Sequence, residues 1–233
     1  MVDRVRGSDL AGRPCGVCGR PVRSGFDCCY CCRTVGAQLG VRLVPVAAVS
    51  AYAVGDALHR LLRGYKDGPT PSLRALRIAE VARRVEAWWP QHVSELGERF
   101  GPWDAVTAVP SSRRERTPAE ALVVAVPPLA RRYRRLLQRG PGATGHLRAA
   151  RDGYAVAEGV GTDALSGRRV LVFDDSLTTG ARAQSAAVAL RAAGCVPVGI
   201  LVVGRAYREG ARAPRADRSE CPPGAAPART GMG

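Results

Sequence analysis

The stretch Arg169-Val-Leu-Val-Phe-Asp174-Asp175-Ser-Leu-Thr178-Thr179-Gly180-Ala-Arg-Ala-Gln-Ser185 holds most of the architectural information in this chain. Val170–Phe173 is wholly apolar, as a strand must be when both faces of a parallel sheet are covered. An alanine-rich segment running to about Ala193 reads as a helix, and Val196–Val203 as the next strand. The unit is therefore βαβ, and the expected class is α/β with a parallel sheet flanked by helices. Asp174 and Asp175 follow the first strand at its carboxyl end, where open α/β sheets bind ligands. Adjacent carboxylates repel, so sugar hydroxyls, Mg2+ or developing positive charge must offset them. Thr178, Thr179 and Gly180 then make a hydroxyl-rich turn into a helix, where hydroxyls, amides and the helix dipole form an anion cradle. A simple helix cap needs one such residue, and this turn supplies several. Acids for a ribose and a cradle for a phosphate, two residues apart, point to a ribose phosphate.

Upstream, Trp103–Val109 reads as a second buried strand that ends in the loop Pro110-Ser111-Ser112. Ser50–Val54 is a short extended run leading to Asp56–Arg63, and Gly64-Tyr65-Lys66-Asp67-Gly68-Pro69 is expected to be a loop. Leu73, Leu76, Val81 and Val85 give residues 71–89 a helical apolar spacing, which Pro90 is expected to stop. A further amphipathic stretch runs from Pro118 to about Gln138, interrupted by Pro127-Pro128. Residues 139–152 are rich in glycine and arginine and are expected to form a long mobile loop. Within them Gly140-x-Gly142-x-x-Gly145 has the letters of a dinucleotide fingerprint, but it follows an arginine-rich stretch instead of a strand, so no dinucleotide site is expected. Residues 208–233 hold few large apolar side chains and read as a disordered tail.

Six of the eight cysteines lie between Cys15 and Cys32. Clustering of this kind suits a metal in a reducing compartment. Cys15-Gly-Val-Cys18-Gly19 is one half-site; in Asp27-Cys28-Cys29-Tyr30-Cys31-Cys32 the spacing allows either Cys28/Cys31 or Cys29/Cys32 as the other. Four thiolates around a tetrahedral Zn2+ are the expected assembly. No apolar run approaches the ~18–20 residues of a membrane span. The segment Met1-Val-Asp-Arg-Val-Arg-Gly7 lacks the core of a secretory signal, so the expected location is cytoplasmic. The chain has 35 Lys and Arg against 20 Asp and Glu, a formal charge of +15, and Lys66 is its single lysine. Arginine forks suit phosphate, although a coding bias toward arginine would produce the same excess.

With these motifs in place, the segment 169–185 resembles the phosphoribosyl diphosphate (PRPP) motif of type I phosphoribosyltransferases. The order of cysteine module, Gly-Tyr-Lys-Asp segment, strand ending in Val-Pro, arginine-bearing loop and PRPP motif resembles the competence protein F-like phosphoribosyltransferases over residues 12–206. That resemblance implies a type I phosphoribosyltransferase fold at 41–207, with a hood at 41–100 and a PRPP-binding core at 101–207. A zinc-ribbon-like module at 1–40 and the tail at 208–233 complete the expected organisation. It implies that Asp174 and Asp175 contact the ribose hydroxyls, and that Leu177, Thr178, Thr179 and Gly180 embrace the 5′-phosphate. Pro110, Ser111, Ser112 and Arg113 correspond to the pyrophosphate loop, Arg148 and Arg151 to the closing loop, and Lys66 to the hood. The second knuckle of such relatives resembles Cys29-Tyr30-Cys31-Cys32, which implies Cys15, Cys18, Cys29 and Cys32 as ligands of a structural Zn2+. Where many relatives carry Arg-Gly-Phe-Asn after the pyrophosphate loop, this chain has Arg116-Thr117-Pro118-Ala119-Glu120.

The implied activity is transfer of the phosphoribosyl group from Mg2+-bound PRPP to a nitrogen acceptor, with release of pyrophosphate. Nothing in the sequence identifies that acceptor or the oligomeric state. The alternative from another class is a PRPP- or nucleotide-sensing protein, or a binder of single-stranded nucleic acid, without turnover. Arg131, Arg132, Arg134, Arg135 and Arg139 could track a phosphate backbone, but aromatic residues for base stacking are scarce, and a solvated helix face accounts for the cluster. A scaffold that uses the zinc module for docking is a third reading. His59, His92 and His146 show no ligand spacing.

Overall fold

The structure, a computed structural model, describes residues 14–22, 25–111, 118–161 and 165–207. The expected tail at 208–233 lies outside the described residues. In chain order the elements are α1 (Tyr30–Leu39), β1 (Val46–Ala53), α2 (Ala57–Asp67), α3 (Pro71–Phe100), β2 (Ala105–Ala108) and α4 (Pro118–Val124). They continue with α5 (Pro127–Ala130), β3 (Leu137–Arg139), β4 (Tyr154–Val156), β5 (Arg169–Leu177), α6 (Ala181–Ala192) and β6 (Val196–Tyr207).

The main sheet has the order β1-β6-β5-β2, and every pairing in it is parallel. Strand β5 explains its own apolar run. Val170 and Val172 join a core made with α1 and α6, while Leu171 and Phe173 join a second core made with α2, α3 and α4. Alternation along a strand between two covered faces requires such a sequence. The β5-α6-β6 unit is the expected βαβ. Both strands outrun their apolar residues, because ladder bonds pair Asp174 with Val202, Ser176 with Gly204 and Leu177 with Arg205 whatever the side chain.

Helix α2 runs through Gly64-Tyr65-Lys66-Asp67, which the sequence reading made a loop. Asp56 caps its start, accepting from His59 N at 2.7 Å, and Leu58, Leu61, Leu62 and Tyr65 form one buried stripe. Gly64 serves close approach and not a turn: a Cβ there would fall 1.3 Å from an Arg77 guanidinium nitrogen on α3. Nor does Pro90 stop α3, which is continuous for 30 residues. Proline forfeits one hydrogen bond, to the carbonyl of Glu86. Burial of Val81 and Val85 before it, and of Leu96 and Phe100 after it, keeps both halves on the sheet.

The expected amphipathic stretch from Pro118 is helical only to Ala130. The arginines that follow sit on an extended segment beside β2, with Val106 N donating to Arg132 O at 2.9 Å and Arg134 N to Val106 O at 2.8 Å. An open strand edge recruits this backbone, so the cluster is not a helix face. Residues 139–152, expected to be mobile, connect β3 to β4 as an antiparallel hairpin. The connection is pinned to α1 and α6: Gln38 Nε2 donates to Leu147 O at 2.9 Å, Ala149 N to Gln38 Oε1 at 2.7 Å, and Ala150 N to Ser185 Oγ at 3.1 Å. Gly140, Gly142 and Gly145 fall within it. Cys15, Cys18, Cys28 and Cys32 share the core beneath α1 and α6, and Val46 N of β1 donates to Val17 O at 2.8 Å. No described helix is long and apolar enough to cross a membrane.

Candidate functional site

The chain leaves β2 toward α4 on one face of the sheet and leaves β5 toward α6 on the other. Neighbouring strand ends whose connections diverge open a crevice at the carboxyl edge. There a cleft of ≈ 330 Å³ is lined by the end of β5, the turn Thr178–Gly180, the first residues of α6, and Arg139, Thr144, Gly145 and His146 of the hairpin. Arg182 of α6 ties the loop after β2 to the hairpin, its Nη2 donating to Pro110 O at 3.3 Å and its Nε to the Tyr154 hydroxyl of β4 at 3.4 Å.

Asp174 faces this cleft and is only 6% exposed. Its pKa is pushed up to about 6, first by burial and then by the charge of Asp175, against the pull of Arg182 and Lys66. Arg182 is held above its ordinary value chiefly by the charge of Asp174. The two place a titratable carboxyl and a permanent cation in one crevice, the carboxyl titrating near 6 and the guanidinium always charged.

Asp175 has a different environment. Consecutive strand residues face opposite ways, so its carboxylate turns toward α2. It accepts from the Tyr65 hydroxyl, from Lys66 Nζ at 2.6 Å and from Ser176 Oγ at 2.9 Å. Burial alone would raise its pKa, but the Lys66 charge and these hydrogen bonds hold it below the ordinary carboxylate value. Tyr65 is pushed well up, by burial first and then by the charge of Asp175. The expectation that both acids face one sugar is thus not met: Asp174 lines the cleft, while Asp175 is engaged by protein donors on the other face. Lys66 belongs to Asp175 and reaches the cleft edge only through Ser176 Oγ, at 3.4 Å.

Gly180 takes φ +83°, a left-handed conformation that suits glycine and lets the turn enter α6. Thr179 is buried, and its Oγ1 accepts from Leu147 N at 3.3 Å, tying the hairpin to the turn. Leu177, Thr178, Thr179 and Gly180 all line the cleft. Pro110 contributes its carbonyl to Arg182, and Ser111 follows it; Ser112, Arg113 and Arg116 lie outside the described residues. The two closing-loop arginines are not brought to the cleft. Arg148 is exposed beyond it, and Arg151 donates to Leu39 O at 3.1 Å at the end of α1. Arg139, His146 and Arg182 line the cleft and were not expected there. Arg182 had a readable signal: a cation in the first turn of a helix opposes the dipole, so a nearby anion must compensate it.

Across the molecule, the Sγ atoms of Cys15, Cys18, Cys29 and Cys32 all lie within 4.8 Å of one another, with Cys18 and Cys29 at 3.6 Å. Thiolates about 2.3 Å from a tetrahedral ion would be about 3.8 Å apart, so this quartet could hold a metal ion with little movement. Hydrogen bonds from the Cys15 and Cys18 thiols, then from Cys31 and Cys32, hold Cys29 far below an ordinary thiol. Of the two registers that spacing allows, Cys29 and Cys32 are the pair that joins Cys15 and Cys18. No protein-family model and no curated protein sequence matches this chain.

Proposed function

We propose that the cleft binds a ribose phosphate and that the protein is a phosphoribosyltransferase of the type I fold, transferring the phosphoribosyl group of PRPP to a nitrogen acceptor. The observation on which this rests is the convergence of buried Asp174, the cation Arg182 and the hydroxyl turn Thr178–Gly180 in one crevice at a divergent pair of strand ends. A phosphate fits the turn and a sugar hydroxyl fits Asp174. Asp174 is the only carboxylate among the described residues lining the cleft. That donor set suits Mg2+ held mainly by ligand phosphate oxygens and water, and Mg2+ would supply charge neutralisation for a leaving pyrophosphate. A Zn2+ ion on Cys15, Cys18, Cys29 and Cys32 would be structural.

In this reading the bond from C1 to the pyrophosphate oxygen breaks with its electron pair leaving on oxygen, and the acceptor nitrogen donates its lone pair to C1 and releases a proton to solvent. Arg182 and Arg139 neutralise the departing anion. Asp174, ionised above about pH 6, stabilises the positive charge that develops on the sugar. The pinned hairpin limits access of water to that charge.

The test is a thermal melt with Mg2+ and PRPP, followed by assay of pyrophosphate release with a panel of bases and amines. Saturating ligand should raise the melting temperature by several degrees, as expected for about 2–3 kcal/mol of linkage. Asp174→Asn and Arg182→Ala should each abolish the shift. An unchanged melt at millimolar PRPP would remove the proposal. Binding without pyrophosphate release from any acceptor would favour a sensor. For the nucleic-acid alternative, Arg131, Arg132, Arg134 and Arg135 are exposed, although Arg132 also donates to Trp103 O at 3.3 Å and Arg134 to Tyr133 O at 2.7 Å; binding of single-stranded DNA that weakens steeply with salt would favour it.

A further inference from the structure

One side chain joins the cysteine cluster to the anion turn. Arg20 closes the first cysteine knuckle with its backbone, its carbonyl accepting from Cys15 N at 2.7 Å. Its guanidinium then leaves the knuckle: Nη2 donates to Thr178 O and, at 2.7 Å, to Ala206 O, while Nη1 lies 3.7 Å from Cys31 Sγ. Its Nε is buried without a hydrogen-bond partner, so the group is held by its Nη contacts at some desolvation cost. A second strut runs the opposite way, with Arg205 Nη1 donating to Cys18 O.

Thr178 belongs to the turn that lines the cleft. The chain has no cis peptide bond among its described residues, so the amide of Thr179 points opposite to the carbonyl of Thr178. An arginine that holds the carbonyl outward therefore aims the next N–H inward, toward the cradle. It also sets a fixed positive charge behind that peptide.

We propose that Arg20 is a positioning residue that makes anion binding at the turn depend on the state of the cysteine quartet. This rests on the reading of the cleft as a phosphate site and on the quartet as a metal site. With the quartet loaded, the knuckle 15–20 is rigid and Arg20 holds the 178–179 peptide. With the metal extracted, the knuckle loosens, the peptide is free to rotate, and the cradle loses an aligned donor while the α/β core persists.

The test compares three principal forms of the full chain, zinc-loaded, chelator-stripped under reducing conditions and zinc-loaded Arg20→Gln, with stripped Arg20→Gln and zinc-loaded Arg20→Lys as controls. Two readouts are taken, amide hydrogen exchange over residues 177–181 and affinity for ribose 5-phosphate, with inorganic phosphate as a second probe. Stripping and Arg20→Gln should each speed exchange in that segment, leaving β5 residues 170–173 protected. Each should weaken ribose 5-phosphate binding about ten-fold or more, the scale of one charge-assisted hydrogen bond. Stripping the Arg20→Gln variant should add little, and Arg20→Lys should restore part of the affinity. Equal exchange at 177–181 in all three forms would overturn the coupling. If exchange responds as described but the loaded wild type binds neither probe, the phosphate reading of the cleft fails and the proposed dependence fails with it, while the mechanical link alone remains.

Discussion

Asp174 and Asp175 are chemical twins with opposite energetics. A carboxyl whose pKa rises on folding, as that of Asp174 does to about 6, is bound to its proton more tightly in the folded chain than in the unfolded one. Its ionisation therefore costs stability, which falls as pH rises from near 4 to about 6 and then levels off. Asn resembles the protonated acid. We expect Asp174→Asn to melt higher than wild type at pH 7.5, by an amount on the order of 2 kcal/mol, and to match it near pH 4, a comparison made by thermal melts across that range. A variant that is less stable at pH 7.5 would contradict the burial argument. Asp175, lowered by Lys66, contributes in the other direction and loses its contribution only as pH falls through the acid range. This difference was legible in principle. Two neighbours on a strand face opposite sides, but the apolar run ends at Phe173 and placed both acids after the strand, whereas β6 extends the ladder through them by backbone bonds that no side-chain pattern reveals.

Elements meet closely where side chains are missing. A Cβ on Gly199 of β6 would lie 2.7 to 2.8 Å from three ring atoms of Phe100, the last residue of α3. Gly199→Ala should therefore cost about 1–3 kcal/mol through overpacking, read as a lower denaturant midpoint with an unchanged slope. Local rules served where one force dominated. The apolar run of β5 and the alanine-rich α6 were readable because burial on both faces leaves no other composition. They failed at Gly64 and Pro90, where a nominal breaker sits inside a helix whose apolar stripe continues past it. The hairpin at 139–152 was hidden for a different reason: its anchors are Gln38, Thr179 and Ser185, and nothing nearby in sequence announces such partners.

On the scale of the molecule, the cysteine segment is continuous with one of the two cores and not a satellite beside it. Loss of a bound metal should then weaken the whole fold. We expect a chelator to lower a single cooperative melting transition by roughly 10 °C, because each kcal/mol lost moves the midpoint by about 2–4 °C at this size. Two separate transitions, one metal-dependent and one not, would show that the cysteine segment folds independently. The strand order has a consequence for synthesis. β6 lies between β5 and β1, and it is the last of the four strands to be made. β1 emerges from the ribosome long before β6, its neighbour in the sheet among the described residues, and its uncharged stretch Val46–Ala53 must wait until β6 has been made. Pairings between such distant segments close slowly, so the edge of β1 stays open to wrong partners for as long as the chain between the two strands is being made.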